Sequence, residues 1–493
     1  MWRKFVFLFL TLILLVPGNA SAQTLAEKVQ EYTLDNGLKL LMVERHNSPT
    51  VAAYISFRVG GVDEDSQHQG VAHLLEHMLF KGTETLGTRD YQQEKPQLVA
   101  IEEVGHRIDV LKNRPDTDPQ ELAKLRNKLK NLQDEHRKLL VKDEFSKIYA
   151  ENGGVGYNAF TSKDQTSYLI NLPANKLELW AAIESDRLKN AVLREFYTER
   201  DVVREERRRS YESNPDGMLY ETLLATAYKV HPYRNPVIGW QSDIENLTLV
   251  ETRDFLRKYY SPANMIITLV GDFNGAETLE LVRRYFGPLQ PGVPVPPVVK
   301  REPPQNGERR VHINYDTKPQ LAIAYHKPTM PNRDDYVFDL LMQILAEGRT
   351  SRLYQSLLVD KNLVTGLSVF GAPGSRYDNL MVLNITPRQS CSCGSVEDVI
   401  YAEIERLKSE PVSAAELDKA RKQILTSMLR RLKGNSGLAR MLSAYEVLGG
   451  WQYLLDYEQH LNSITSEEVM AVANRYLSAE NRTVATIGQE GAE

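Results

Sequence analysis

Two similar series of secondary-structure signals, one on each side of a proline-rich segment, constrain the fold of this 493-residue chain more than any other feature. The segment from Pro288 to Pro304 is typical of an extended linker. Each side of it shows two strand patterns followed by a helical pattern: residues 38–43, 50–59 and a helix from Val71 in the first series, and residues 311–315, 320–325 and Asp334–Ala346 in the second. We therefore predict two related halves, residues 23–287 and 305–493, joined by a linker at 288–304.

The mixture of strands and helices predicts the α+β class. Asn36-Gly37, between two strand patterns, is a strong hairpin signal. Strand pairs alternate with helices and do not form strict βαβ repeats, which favours sheets covered by helices over a doubly wound parallel sheet. A chain of this length also exceeds what one core usually serves. We expect each half to be an antiparallel β-sheet packed with α-helices.

A short helix in the first half carries the residues with the clearest chemical meaning. No proline or glycine interrupts residues 71–81, so His73 and His77 fall at i and i+4 on one helical face. Two imidazoles so placed can reach one metal ion, and Glu76 lies beside them, where a bound water would need a base. The alternative is an ordinary amphipathic helix that carries two histidines. The spacing alone leaves both interpretations open.

A second helix, within residues 195–208, places two carboxylates on one face. Glu199 and Glu206 are seven residues apart and nearly eclipsed, whereas Glu205 points away from them. Val202 and Val203 lie between them, so this face is predicted to be apolar and buried. A buried carboxylate needs a cation or hydrogen bonds to offset its lost hydration. A metal held by His73 and His77 is one such partner, and arginines of a neighbouring helix are the other.

The string His73-Leu-Leu-Glu-His-Met-Leu-Phe-Lys-Gly-Thr83 resembles the M16 metallopeptidases, a family that includes pitrilysin, insulinase and the mitochondrial processing peptidases. The resemblance covers nearly all of residues 30–487. It implies that His73, His77 and Glu206 bind Zn²⁺ and that Glu76 takes a proton from the zinc-bound water. It further implies that Glu199 orients one of the metal ligands without binding the metal itself. It also implies that 23–287 is the zinc-binding catalytic domain and that 305–493 is related to it but binds no metal.

The spacing between His77 and Glu206 is longer than the family pattern, and residues 92–150 account for the difference. Apolar residues recur there every three or four positions in two runs, separated by the breaker from Pro115 to Pro119. This pattern predicts two amphipathic helices in an antiparallel hairpin. We expect an insertion that leaves the metal site unchanged.

A glycine-rich strand pattern after the hairpin is a candidate for peptide binding. Closely spaced glycines let another backbone approach, so an extended peptide could add to this strand. Residues 156–162 resemble the substrate-binding edge strand of M16 peptidases, which assigns peptide contacts to Asn158, Ala159, Phe160 and Thr161. The alternative is a plain hairpin without a binding role.

The second half departs from single-chain M16 peptidases, in which an arginine and a tyrosine contact the substrate opposite the zinc. The matching positions here are Leu358 and Thr365, which cannot act as those residues do. We therefore expect a partner: a second M16-like subunit that supplies the Arg/Tyr pair in a hetero-oligomer, or a second copy in a homodimer. The alternatives are a chain that dispenses with the pair, or substitution by the nearby Arg352 or Tyr354.

The first 22 residues have the pattern of a secretory signal peptide. Arg3 and Lys4 precede an apolar run from Phe5 to Val16, and Ala20-Ser-Ala22 follows as a cleavage site. The run is too short for a membrane anchor, which needs about 20 apolar residues, and no second long apolar run follows. We expect no stable membrane span after cleavage, and a periplasmic location if the host is Gram-negative.

The overall prediction is a secreted zinc endopeptidase that cleaves peptides or small unfolded polypeptides. The formal net charge of -5 provides no basic surface for nucleic acid, so we expect none to bind. A different class of function is a non-catalytic M16-like assembly or core subunit. The presence of all four motif residues argues against it: His73, Glu76, His77 and Glu206. A third is metal storage or sensing, which would not require Glu76.

Overall fold

A computed structural model describes residues 25–489. The predicted signal peptide, residues 1–22, lies outside the described residues. Within the described part, none of the helices combines the length and the apolar character that a bilayer crossing requires.

The described strands form two sheets, one in each half. The strands are β1 Val29–Thr33, β2 Lys39–Glu44, β3 Thr50–Phe57, β4 Val155–Thr161, β5 Thr166–Pro173, β6 Met265–Gly271, β7 Arg309–Asn314, β8 Gln320–Lys327, β9 Val364–Ala372, β10 Asn379–Pro387 and β11 Arg482–Gly488. The first sheet has the order β1-β2-β6-β3-β5-β4 and the second has the order β7-β11-β8-β10-β9. Without β1, the two orders are the same. This identity confirms the predicted α+β fold of two similar halves.

We expected purely antiparallel sheets, and this prediction was wrong because both sheets are mixed. One pair in each sheet is parallel, β2 with β6 and β7 with β11, while the other pairs are antiparallel. In both halves the last strand enters between the first two strands of the repeat, after a long helical connection. A strand that enters between two antiparallel strands must run parallel to one of them, and only a long connection lets the chain return to that position.

Helices pack on both faces of the sheets. They are α1 Leu25–Lys28, α2 Val71–Met78, α3 Tyr91–Leu111, α4 Pro119–His136, α5 Glu144–Glu151, α6 Leu177–Asn190, α7 Phe196–Arg207, α8 Pro215–Ala227, α9 Gln241–Asn246, α10 Leu249–Tyr259, α11 Gly275–Phe286, α12 Arg333–Leu345, α13 Cys393–Ser409, α14 Ala414–Lys433, α15 Asn435–Leu448, α16 Tyr453–Ser463 and α17 Ser466–Tyr476. Helix α2 ends at Met78, three residues before the sequence pattern does.

Each half lends one helix to the sheet of the other half. Helix α15, from the second half, packs on β3 and β6, where Leu438 and Leu442 meet Tyr54 and Ile266 in one apolar cluster. Helix α8, from the first half, packs on β7, β8 and β11 in a second such cluster. The opposite face of each sheet is covered by helices of its own half. Both faces of the inner strands of each sheet are therefore buried, whereas the edge strands β4 and β9 keep exposed residues.

Helices α3 and α4 form the helical pair expected within residues 92–150. Asp118 caps α4 by accepting a hydrogen bond from the backbone of Gln120, and Pro119 occupies its first turn. The segment begins and ends at neighbouring points, because Thr88 and Leu140 form a β-bridge. Its base is anchored in the core by Glu94, which is fully buried and paired with both Arg194 and His136.

Candidate metal centre

Helix α2 is held in place at its N-terminus and along its apolar face. Glu64 accepts hydrogen bonds from the backbone N–H groups of Gly70 (2.9 Å) and Ala72 (2.8 Å), two donors that the helix itself cannot satisfy. Gly70 has φ of 92°, and a Cβ there would lie 2.4 Å from the carbonyl oxygen of Ile238. The apolar residues of α2 are buried, so His73, Glu76 and His77 share the remaining, half-buried face.

Helix α7 brings Glu206 to the two histidines. Its Oε1 lies 3.7 Å from Nε2 of His73, and its Oε2 lies 3.5 Å from Nε2 of His77. One donor atom from each residue lies within 4.8 Å of the others. Ligand atoms about 2.0–2.2 Å from a tetrahedral zinc ion are roughly 3.4 Å apart, so these spacings suit such an ion. Two imidazoles and one carboxylate are also a donor set that catalytic zinc uses.

The carboxylates around the two histidines favour the binding of a cation. Burial and the neighbouring His77 lower the pKa of His73 to about 3, so its imidazole is neutral and can act as a ligand. Burial alone would lower the pKa of His77, but the surrounding carboxylates of Glu199, Glu206 and Glu76 raise it above its usual value. Three carboxylates thus surround two imidazoles, and a divalent ion would offset their charge.

Glu199 lies on the far side of His77 from Glu206. Its Oε2 is 3.5 Å from Nδ1 of His77, and its other oxygen accepts a hydrogen bond from Lys81. Although burial would raise the pKa of Glu199, the bonds from His77 and Lys81 hold it below its usual value. An ionised Glu199 fixes a proton on Nδ1 of His77, which leaves the Nε2 lone pair directed at Glu206.

The neighbours of Glu206 on α7 differ in part from the sequence-based expectation. Glu205 points away, as expected, and hydrogen bonds from Arg208 and Arg209 lower its pKa to about 2. Val203 is fully buried, but Val202 is 45% exposed. The prediction that both valines lie on a buried face was therefore wrong for Val202. The face of α7 that carries Val202 is open to solvent next to the metal-binding residues, and the side chain of Glu206 is itself 41% exposed.

Glu76 is placed beside this group and is tied to strand β4. Its Oε2 accepts a hydrogen bond of 2.5 Å from the hydroxyl of Thr161. Burial raises the pKa of Glu76 above its usual value, although the bond from Thr161 opposes the shift. A carboxylate with a raised pKa is better suited to exchange a proton near neutral pH than an exposed glutamate is.

The four residues predicted to bind peptide are all on β4, which is the edge strand of the first sheet. They alternate between its two faces. Ala159 is buried in the core beneath α2, and Thr161 reaches Glu76 on the same side. Asn158 and Phe160 point to the face that α15 covers. The structure thus places two of the four side chains beside Glu76 and two on the opposite face.

The positions that match the family's Arg/Tyr pair lie in the second half, whose described residues include no group of side chains that could hold a metal ion. Leu358 packs partly against the core of that half, and the hydroxyl of Thr365, on β9, bonds to the carbonyl of Thr386. Arg352 makes two hydrogen bonds to Glu416, so its guanidinium already has a partner. This pairing weakens the alternative in which Arg352 substitutes for the missing arginine.

Two residues that support the site were not found from the sequence. Lys81 lies four residues after His77, so helical spacing could have placed it beside the histidine. Glu64 lies outside α2, and no local pattern connects it to the backbone N–H groups that it caps. Its role depends on the path of the short loop between Glu64 and Gly70.

Two family models match the chain. The model described as "Insulinase (Peptidase family M16)" matches residues 39–102 and 140–240, and "Peptidase M16 inactive domain" matches residues 246–424. The gap in the first match, residues 103–139, falls within the segment that we predicted to be an insertion.

Several known proteins are similar over nearly their whole length. The "Zinc protease PqqE" of Helicobacter pylori is 29% identical over 96% of each chain. The "Probable mitochondrial-processing peptidase subunit beta" of Schizosaccharomyces pombe is 23% identical over 95% of this chain and 93% of its own length.

Solved structures share the fold. A protease from Helicobacter pylori superposes with a TM-score of 0.78 at 27% identity, covering 94% of this chain and 99% of that one. The first half of the periplasmic protease PqqL from Escherichia coli has a TM-score of 0.68 at 18% identity, with 94% and 93% covered. At that identity the second likeness concerns the fold alone.

Proposed function

Since the chain belongs to the M16 family of peptidases, we propose that it is a secreted zinc endopeptidase that cleaves peptides or small unfolded polypeptides. One observation carries the proposal. Glu76 lies beside the group formed by His73, His77 and Glu206 and is hydrogen-bonded to Thr161 on an edge strand. A base, a set of metal ligands and a strand open to peptide addition therefore meet in one place.

In the proposed reaction, His73, His77 and Glu206 would hold the zinc ion. When bound, zinc would polarise the peptide carbonyl and lower the pKa of water so that it is nucleophilic at neutral pH. Glu76 accepts a proton from the attacking water at a carboxylate oxygen and then delivers that proton to the leaving amide nitrogen. Glu199 keeps His77 in the tautomer and orientation that zinc binding requires. The free edge of β4 aligns the substrate backbone.

The decisive experiment compares the purified wild-type chain with Glu76→Gln. Wild type should contain about one zinc ion per chain and cleave peptides. Glu76→Gln should keep the zinc and lose several orders of magnitude in turnover, because both proton transfers fail. Wild-type zinc content with no cleavage by either form would instead favour the assembly-subunit function, and undiminished turnover in Glu76→Gln would remove Glu76 from the mechanism.

We also propose that full activity needs a second subunit that supplies an arginine and a tyrosine. The support is that Leu358 and Thr365 occupy the matching positions and that Arg352 is paired with Glu416. One relative is named as a subunit of a mitochondrial processing peptidase. The test is co-purification from the native host, followed by an assay of the chain with and without the partner. Ordinary peptidase rates from the chain alone, as monomer or homodimer, would contradict the heteromeric form.

Export to the periplasm completes the proposal. It is supported by the signal-peptide pattern of residues 1–22 and by the fold shared with a protein described as a periplasmic protease. The mature chain should begin at Gln23. N-terminal sequencing and cell fractionation of a Gram-negative host would test this, and a full-length cytoplasmic chain would contradict it.

A further inference from the structure

An arginine from the second half stands beside the edge strand of the first. Arg440, on α15, has its guanidinium carbon 5.8 Å from the ring centroid of Phe160 on β4, within the range of a cation–π contact. Phe160 directly precedes Thr161, the residue that bonds to Glu76. Arg440, from the half without metal ligands, therefore contacts β4 one residue away from the position that bonds to the proposed base.

The register of the sheet shows which side of β4 Arg440 serves. Phe160 pairs with Ser167 of β5, which pairs with Ser56 of β3, and this row faces α15. Two hydrogen bonds hold α15 over the same face, from Ser443 to Thr268 on β6 and from Ser436 to Asn171 on β5. Thr161 lies in the neighbouring position and points to α2. The two faces of β4 thus present Arg440 on one side and Glu76 on the other.

Arg440 has a charge that nothing nearby neutralises. Its side chain is exposed, and among residues 25–489 it has neither an ion pair nor a hydrogen bond. Most arginines around the metal centre are paired, as Arg207 is with Glu221. An exposed guanidinium held beside a peptide-binding edge is available to a carboxylate from outside the chain.

We propose that Arg440 selects substrates with an acidic side chain, at the position that pairs with Phe160 when the peptide adds to β4. This inference rests on the proposed peptidase function. Side chains along an added strand alternate between faces, and directly opposed residues have Cβ atoms about 4.5–5.5 Å apart. A substrate residue opposite Thr161 therefore points to Glu76, and its neighbour opposite Phe160 points to Arg440. The first half would thus catalyse the cleavage, and Arg440 of the second half would contribute to substrate selectivity.

The test measures binding and cleavage separately. The probe is a fluorescein-labelled peptide of alanine and threonine in which one position is Asp, Asn or Lys, and that position is moved along the peptide. Dissociation constants are measured with zinc-loaded Glu76→Gln, and kcat/KM is measured with the active chain. At one position Asp should be favoured over Asn by roughly tenfold, the effect of one charge-assisted pair.

Charge reversal should invert this preference. Arg440→Glu should favour Lys over Asp at the same position, and Arg440→Gln should show little preference, which gives an independent answer if the reversal disturbs folding. Arg388→Glu is the matched control, because Arg388 is exposed in the second half and has no ion pair among the described residues. It should keep the wild-type order.

The outcomes separate this inference from the peptidase function. Cleavage by the wild type with the same side-chain preference in Arg440→Glu overturns the role of Arg440 and leaves the peptidase standing. Arg440-dependent binding of acidic peptides without any cleavage supports the site and contradicts the peptidase.

Discussion

Thr161 donates a hydrogen bond to Oε2 of Glu76 over 2.5 Å, and this bond connects the edge of the first sheet to the proposed base. The strand that would bind the substrate is thereby the strand that orients the carboxylate. A peptide added to β4 would have its reacting carbonyl positioned by the same element that positions Glu76.

Thr161→Val should lower kcat by roughly tenfold or more while zinc content stays unchanged. Valine has nearly the same shape but cannot donate, and a hydrogen bond to a charged group contributes about 1.5–3 kcal/mol. Steady-state kinetics with metal analysis measures both effects. Thr365→Val, on the edge strand of the second sheet, is the matched control and should leave kcat near the wild-type value. An unchanged kcat in Thr161→Val would mean that the bond does not serve catalysis.

Glu206→Gln should weaken zinc binding by roughly 100-fold or more, whereas Glu205→Gln should change it little. The first substitution removes the proposed anionic ligand atom, and the second removes a carboxylate whose ion pairs, among the described residues, are with Arg208 and Arg209. Competition with a chromophoric chelator measures both affinities. Similar losses in the two variants would refute the assignment of Glu206 as the ligand.

The hairpin can be shortened, but the structure limits how far. Replacing residues 103–139 with a Gly/Ser linker of about ten residues should give a folded chain that binds zinc. Replacing 92–150 should cost more than about 3–5 kcal/mol, because it leaves the buried guanidinium of Arg194 without the Glu94 carboxylate and also removes the core residues Phe145 and Tyr149. Urea unfolding and metal analysis of both variants test this. Loss of zinc from the shorter replacement would show that the hairpin supports the site.

Asp339→Asn should stabilise the protein above pH 6 but not near pH 4. Burial, together with the nearby Asp335, raises the pKa of Asp339 to about 6, whereas the unfolded value is about 3.9. The folded state therefore holds the proton more tightly, and ionisation costs stability progressively as pH rises from about 4 to 6.

Asparagine removes that cost and can still accept the bond from Tyr457. We expect a gain of roughly 1–3 kcal/mol at pH 7.5 that disappears at pH 4, measured by urea unfolding. Asp456→Asn, exposed on α16, should change little at either pH. An equal gain for Asp339→Asn at both pH values would contradict the titration argument.

Local patterns in the sequence were sufficient where the geometry depends on one helix. Helical periodicity separated Glu206 from Glu205 and placed His73 and His77 together. It failed at Val202, because periodicity predicts which residues share a face but not whether a neighbouring element covers that face. That α2 and α7 converge is a property of the tertiary fold; the buried-carboxylate argument left it as one of two alternatives, and the family resemblance favoured it.

Arg440 illustrates what local patterns could not predict. It lies in an amphipathic helix of the second half whose only other charged residue is Glu446, and nothing in the sequence of that helix connects it to Phe160. The contact exists because α15 crosses onto the sheet of the first half. Glu64 is a similar case. The loop between Glu64 and α2 brings its carboxylate to the backbone N–H groups of Gly70 and Ala72, and no local pattern predicts that loop.

The exchange of α8 and α15 between the halves has a consequence for the covalent connection between them. The proline-rich stretch carries neither helix nor strand from Gln290 to Glu308, while both sheets depend on a helix from across the boundary. A protease nick in that stretch should leave the two fragments associated, because each would otherwise expose an apolar sheet face to water. The chain is in effect an intramolecular heterodimer, and its halves are natural fragments for a split protein that reassembles when both are produced together.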